Sequence, residues 1–131
     1  MYFQKGCTLL YAGQEAQEFH IPSLFDGDKI NLRSIEEDFI EQLKTLGKIK
    51  KNEIMAKGFY EIYMAQDKDV ILASYKLKNK QLIGIFNVGK LQGGIGVNVA
   101  DGEYTNLVDG TVVVVNKGIL KLQNKAVIFE V

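Results

Sequence analysis

The sequence predicts a mainly β protein, an antiparallel β-sandwich preceded by one short strand, a loop and one helix. Three observations carry this. Apolar residues alternate with polar ones at a period of two from Phe59 to the end of the chain, the spacing of half-buried strands. Turn signals separate these runs at short intervals, with Asp109-Gly110 reading as a hairpin turn and Asn116-Lys117-Gly118 as a three-residue one. Before Lys57-Gly58 only one segment has helical spacing.

The first element is "GCTLLYAGQE", Gly6 to Glu15, which reads as a buried strand entering a glycine turn. A strand that is apolar on both faces needs sheet on each side of it. Only five residues precede this one, so it must find a second copy of the chain as partner or be covered by the helix and loop that follow. An irregular loop comes next. The helix then opens on Ser34-Ile35-Glu36-Glu37, a capping-box pattern. Its apolar stripe runs through Ile35, Phe39, Leu43, Leu46 and Ile49, widened by Ile40, and predicts a helix from about Ile35 to about Lys51. Acidic residues lead and lysines follow, which complements the helix dipole. Gly47 weakens the centre by about 1 kcal/mol and marks a place for a kink or an early end.

The strand runs are "FYEIYMA", "VILASYKL", "QLIGIFNV", "GIGVNVA", "EYTNLV", "TVVVV", "GILKL" and "AVIFEV". In the second, Ile71, Ala73, Tyr75 and Leu77 share one face and Ser74, Lys76 and Lys78 the other. The turns Gln66-Asp67-Lys68-Asp69 and Lys78-Asn79-Lys80 join the first three runs. Strands with one apolar face each require two sheets that cover each other.

Composition narrows the function. The 131 residues bury one core, and 47% hydrophobic with 24% charged residues is ordinary globular chemistry. Sixteen basic residues balance sixteen acidic ones, so neither nucleic acid nor an anionic membrane is expected as a partner. Cys7 is the only cysteine and His20 the only histidine. That leaves no disulfide framework and no Cys/His zinc site, and no cofactor is expected. No apolar run approaches the roughly 18 residues of a membrane span.

Chemistry-bearing patterns are few. "GKLQGGIGVN" lacks the Lys-Ser/Thr ending of a phosphate loop and leads into a strand, so it reads as a β-turn. Asp26-Gly27-Asp28 starts like a calcium loop, but Ile30 stands at the next ligand position and the glycine comes too early. His20 lies in a loop without a paired Ser or Cys nucleophile, which gives nucleophilic catalysis no support. Tyr60, Tyr63, Tyr75, Phe86, Tyr104 and Phe129 could form a sugar-stacking platform or be core residues.

These residues converge on a resemblance. "GCTLLYAGQE" resembles the eighth barrel strand of the α-amylase family, glycoside hydrolase family 13, which commonly reads Gly-Thr-Pro-Leu-Ile-Tyr-Tyr-Gly-(Asp/Gln)-Glu. Gly6, Leu9, Tyr11, Gly13, Gln14 and Glu15 match, while Thr8 and Ala12 depart. "PSLFDGDKINL" is similar to a loop of some members at Pro22, Leu24, Phe25, Asp26, Asp28 and Ile30, with Lys29 and Leu32 replacing the usual Pro and Trp. "GEYTNLVDGTVVVVNKGILKLQNKAVIFEV" is similar to the end of the family's Greek-key sandwich, domain C.

The resemblance implies a remnant of a (β/α)8 barrel at 1–57 and domain C at 58–131. It implies an α-1,4-glucan as substrate of the full-length enzyme and the missing barrel as the partner of this chain. The family's catalytic residues lie upstream, so no catalytic residue is carried over. Glu15, Phe19 and His20 would lie at the end of a barrel strand where active sites form, as candidate substrate-loop contacts. Two other readings stay open: a carbohydrate-binding module, which needs an exposed row of aromatics, and an interaction domain whose first 33 residues complete a partner's sheet. In the latter case the chain forms a homo-oligomer through its N-terminal strand.

Overall fold

The structure is a computed structural model that describes every residue except Pro22, Leu24, Leu32, Ser34 and 66–68. The described residues hold two helices, α1 (Glu37–Lys50) and α2 (Glu53–Lys57), and eight strands. These are β1 (Phe59–Met64), β2 (Val70–Leu77), β3 (Lys80–Asn87), β4 (Gly94–Gly96), β5 (Gly102–Thr105), β6 (Val112–Asn116), β7 (Ile119–Lys121) and β8 (Val127–Glu130). They form two four-stranded sheets in the orders β1-β2-β3-β8 and β4-β7-β6-β5, with every pairing antiparallel. In the second sheet β4 returns beside β7, next to the β5-β6-β7 meander, which is Greek-key order.

The two sheets cover each other. Val70, Leu72, Ile83, Ile85, Val127 and Phe129 of the first meet Ile95, Val97, Val113, Val115, Leu120 and Leu122 of the second in one buried cluster. The second sheet alternates cleanly, as in the exposed-buried pattern of β6. The first does not. The sequence assigns β2 a single apolar face, yet both faces are buried: Val70 and Leu72 point inward with Ser74, and Ala73 and Tyr75 point outward. Ser74 is small enough for its polar position to be covered.

The outer face acquires its own cover from upstream. Phe3, Ile54 and Met55 close over Ala73, Tyr75, Leu82 and Ile128. The Phe3 ring stands edge-on to Tyr75 at 5.4 Å and lies 5.5 Å from Phe86, a favourable geometry for the ring quadrupoles. It fits because residue 84 is glycine: a Cβ there would sit 2.8 Å from the ring. The Tyr75 hydroxyl donates to the Phe3 carbonyl at 3.1 Å, and burial pushes its phenol up to about 12. Asn52 accepts from the Ile54 amide at the start of α2 and donates to Glu130 at 2.7 Å, tying that short helix to β8.

Upstream of α2 the agreement with the sequence is partial. Helix α1 forms close to the expected span and runs unbroken through Gly47. Its start is Glu37, with Glu36 as N-cap and no side-chain capping bond; Ser34, the expected cap, lies outside the described residues, as does most of the turn at Gln66. The stripe of α1 is only half covered, and none of its residues is fully buried.

The strand expected at Gly6 to Tyr11 does not form, and the segment has no regular pairing. Leu9 is 77% and Tyr11 65% exposed, so the following helix and loop do not cover them. The physical reason is the one that made the segment odd: a strand apolar on both faces gains nothing without sheet at its edges. The chain regains order in a single 3-10 turn at Gln14–Ala16. The hairpin expected as a three-residue turn is tighter, because Asn116 pairs with Ile119 and leaves only Lys117 and Gly118 at φ 52° and 69°. Two positive φ angles define a type I′ turn, and glycine takes the second at no steric cost.

Asn106 holds the loop between β5 and β6 to β8. It is fully buried; its amide donates to the Ala126 carbonyl at 3.2 Å, and its carbonyl oxygen accepts from Val108 and Ile128 at 3.2 and 2.9 Å. Replacing Asn106 with Ala is expected to lower unfolding stability by roughly 2–4 kcal/mol in a urea titration, because two backbone N–H groups and a carbonyl lose their partners.

Candidate functional site

The candidate residues Glu15, Phe19 and His20 sit on the loop that starts at Gly13 and ends near Asn31. Gly13 opens it at φ 94°, a conformation that glycine adopts freely and other residues do not. The Glu15 carboxylate turns back to accept the Gly13 amide at 2.9 Å. The Gly13 carbonyl accepts from Ala16 and Glu18 at 3.1 and 3.0 Å. Glu15 is thus engaged in closing its own turn.

Phe19 is 95% exposed and borders a shallow hollow of about 390 Å³ with Leu10, Phe39 and Leu43. His20 is held from two sides. Its Nε2 lies 2.6 Å from an Asp28 carboxylate oxygen, and its amide donates to Glu18 at 3.0 Å. The second Glu18 oxygen accepts the Asn31 amide at 3.0 Å, so this one carboxylate joins both ends of the loop. Asp28 also accepts the Ser23 amide at 3.1 Å, and the Ser23 hydroxyl donates to Asp26 at 2.9 Å.

The electrostatics follow from these bonds. The His20 ring and then the Ser23 amide hold the Asp28 carboxyl below the usual range against a small desolvation cost. Amide donors from His20 and Asn31 do the same for Glu18. Both carboxylates are therefore set to accept bonds, not to give or take protons near neutral pH.

No hydrogen bond or ion pair joins Glu15, Phe19 and His20 among the described residues. The residues that the sequence reading missed are Glu18 and Asn31. Asp28 entered the sequence reading through a failed calcium pattern and as a matching position of the family-like loop, and its contact with His20 was not foreseen. The available clue was three carboxylates placed around the single histidine at positions 18, 26 and 28. Among the described residues no group of three or more His, Cys, Asp or Glu side chains could hold a metal ion. The loop presents Phe19, Ile21 and Phe25, at 95%, 88% and 97% exposure, on a frame tied by backbone donors. Such a surface can stack on or pack against a ligand, and among the described residues of the loop no nucleophile is paired with a base for chemistry.

The six aromatics considered as a platform do not form one. Tyr75 and Phe129 are fully buried, Tyr60 stacks on Tyr75 at 4.6 Å, and Tyr104 packs on Phe129 at 4.9 Å. Only Tyr63 among the six is exposed.

This two-sheet sandwich with its upstream helix has the same fold as parts of several solved α-amylase structures. The α-amylase of Lactobacillus plantarum superimposes with a TM-score of 0.87 at 23% identity, covering 98% of this chain and 30% of that one. The maltogenic α-amylase AmyB of Thermotoga neapolitana gives 0.80 at 14% identity, covering 98% and 34%. The cyclomaltodextrin glucanotransferase CldA gives 0.59 at 15% identity, covering 98% and 30%. The chain thus spans about a third of the length of these proteins. Curated proteins give no match. Residues 61–129, just over half the chain, match the family described as Bacterial Alpha amylase C-terminal domain. The chain belongs to that family.

If His20 is what depresses Asp28, His20→Gln should move the Asp28 carboxyl back up toward its ordinary value in a carbon-detected NMR titration. The sign follows from the depressed value. The pair stabilises the loop above the ordinary carboxylate range and is lost as pH falls through the lowered pKa. An unmoved Asp28 would contradict this.

Proposed function

We propose that the chain is the C-terminal part of an α-amylase-type enzyme, with residues 1–57 ending a (β/α)8 barrel and 58–131 forming domain C. The observation that carries this is a contrast in burial. The sandwich core is closed, yet Leu9, Leu10, Tyr11, Phe19, Ile21, Phe25 and Ile35 all stand exposed in one stretch. So many exposed apolar side chains in one stretch of chain mark a segment meant to be covered. The half-covered stripe of α1 supports the same reading, as does an open recess of about 380 Å³ between Phe3, Leu46, Ile62, Ile71, Phe86 and Ile128.

In this proposal the chain is non-catalytic, and its task is to complete and cap the barrel. The full-length enzyme acts on α-1,4-linked glucan, by hydrolysis or transfer, through two carboxylates supplied upstream. Amylases of similar fold have been solved in complex with maltotriose, maltose and acarbose, which supports that substrate class. Phe19 and His20 lie on the substrate side of the completed barrel and contribute to a glucan subsite, while Glu15 shapes the loop that carries them.

The test is direct. The purified chain should release no reducing sugar from soluble starch above the buffer blank, and adding maltohexaose should leave the amide signals of the strands unmoved. Robust hydrolysis that a single carboxylate substitution in this chain abolishes would overturn the non-catalytic assignment. Saturable shifts centred on Tyr60, Tyr63 or Tyr104 would favour a carbohydrate-binding module.

A further inference from the structure

We infer that β1 is a pairing edge, and that its partner is β1 of a second copy in an antiparallel, two-fold arrangement. Strand β1 is six residues long and has a neighbour on one side only. Phe59, Ile62, Tyr63 and Met64 on it are all more than half exposed. Its one charge, Glu61, is already paired with Lys76 of β2 at 3.1 Å. Long, apolar edges without lysine or proline are the ones that recruit another strand.

The other sheet ends are protected. On the far side of β8, the Leu107 amide donates to Ile128 and the Ile128 amide donates to Asn106, so that edge is occupied. Strands β4 and β5, the edges of the second sheet, have three and four residues, and β4 is glycine at both ends. Among the described residues β1 is the one long edge left open.

Backbone alternation fixes the register. The Ala65 amide donates to the Val70 carbonyl, which places residue 65 in a hydrogen-bonded pair with β2. By the alternation of an antiparallel ladder, residues 63, 61 and 59 also bond inward, and Tyr60, Ile62 and Met64 present their N–H and C=O groups to the open side. A two-fold axis perpendicular to the sheet joins residues of like parity, so that each face continues across the junction. Setting Ile62 opposite Ile62 of the second copy brings Tyr60 opposite Met64 on either side, and all three free residues pair. Glu61 then faces Tyr63. Of the two registers shifted by one pair, one would set Glu61 against Glu61, a like-charge contact that destabilises a sheet, and the other would leave Tyr60 with no partner on the second β1. Hydrogen-bond parity and charge thus select the same arrangement.

The experiment is light scattering on the purified chain at about 100 µM, a concentration that detects weak association. The wild type should have twice the 14.7 kDa chain mass. Ile62→Pro removes only an outward N–H, and Ile62→Lys sets two ammonium groups across the axis. Each should elute at the single-chain mass with an unchanged near-ultraviolet dichroism spectrum. The Tyr60, Ile62 and Met64 amides should exchange at least about tenfold more slowly in the wild type than the Tyr60 and Met64 amides do in Ile62→Lys. A wild type that is monomeric at this concentration would overturn the proposal. So would a dimer that survives Ile62→Lys, or one that only Leu9→Lys or Tyr11→Lys disperses, which would place the contact in the N-terminal segment.

Discussion

The central strands of the first sheet are apolar on both faces, and the rest of the structure depends on covering the two. The inner face is covered by the second sheet, whose strands need only one apolar side. The outer face has no sheet to meet. It is closed by pieces that arrive from the N-terminal side: the Phe3 ring over Gly84, the Ile54 and Met55 side chains of α2, and the Tyr75 hydroxyl bonded to the Phe3 carbonyl. Each fully buried large side chain in these layers contributes on the order of 1.5–3 kcal/mol, so the outer cover matters energetically as well as geometrically. It also explains why a sandwich carries an upstream extension at all.

The cover is incomplete, and where it stops the character of the chain changes. Lys5 donates to the Gly58 carbonyl at 3.0 Å, and the Lys50 ammonium bonds the Gln4 carbonyl. These contacts pin the first residues and the end of α1 to the sandwich. Between them the chain makes a loop that is internally tied but buries little apolar surface. Glu18, His20, Ser23, Asp26 and Asp28 supply one another's partners, while Phe19, Ile21 and Phe25 project outward. Local order with unburied apolar side chains is the feature on which the proposed barrel contact rests.

Much of this was legible in the sequence because period-two alternation and turn chemistry are local. All eight strand runs became strands, Asp109-Gly110 lies in the β5-β6 connection, and α1 lies where its stripe predicted. The misses were non-local. The second buried face of β2 was missed because Ser74 and Lys76 drew attention to its polar end, although Val70 and Leu72 share that face and carry its burial. The separate helix α2 is too short for periodicity to register and depends on Asn52 as a cap. The segment Gly6 to Tyr11 has the pattern of a strand buried on both faces, but a pattern of that kind forms a strand only when its neighbours are present. In the candidate loop, Phe19 and His20 could be picked out by residue type. The role of Glu18 as the tie between His20 and Asn31 rests on backbone donors that a sequence does not display.

The central claim is that the sandwich with its small upstream cover is the stable body, and that the stretch between Cys7 and α1 awaits a domain outside it. Native-state hydrogen exchange on the whole chain tests this most directly. The inward-bonded amides of β2, β3, β6 and β8 should exchange only through global unfolding, while the amides of Cys7 to Tyr11 exchange at rates close to those of an unstructured peptide. Protection of Cys7 to Tyr11 equal to that of β2 in the monomeric chain would contradict the account.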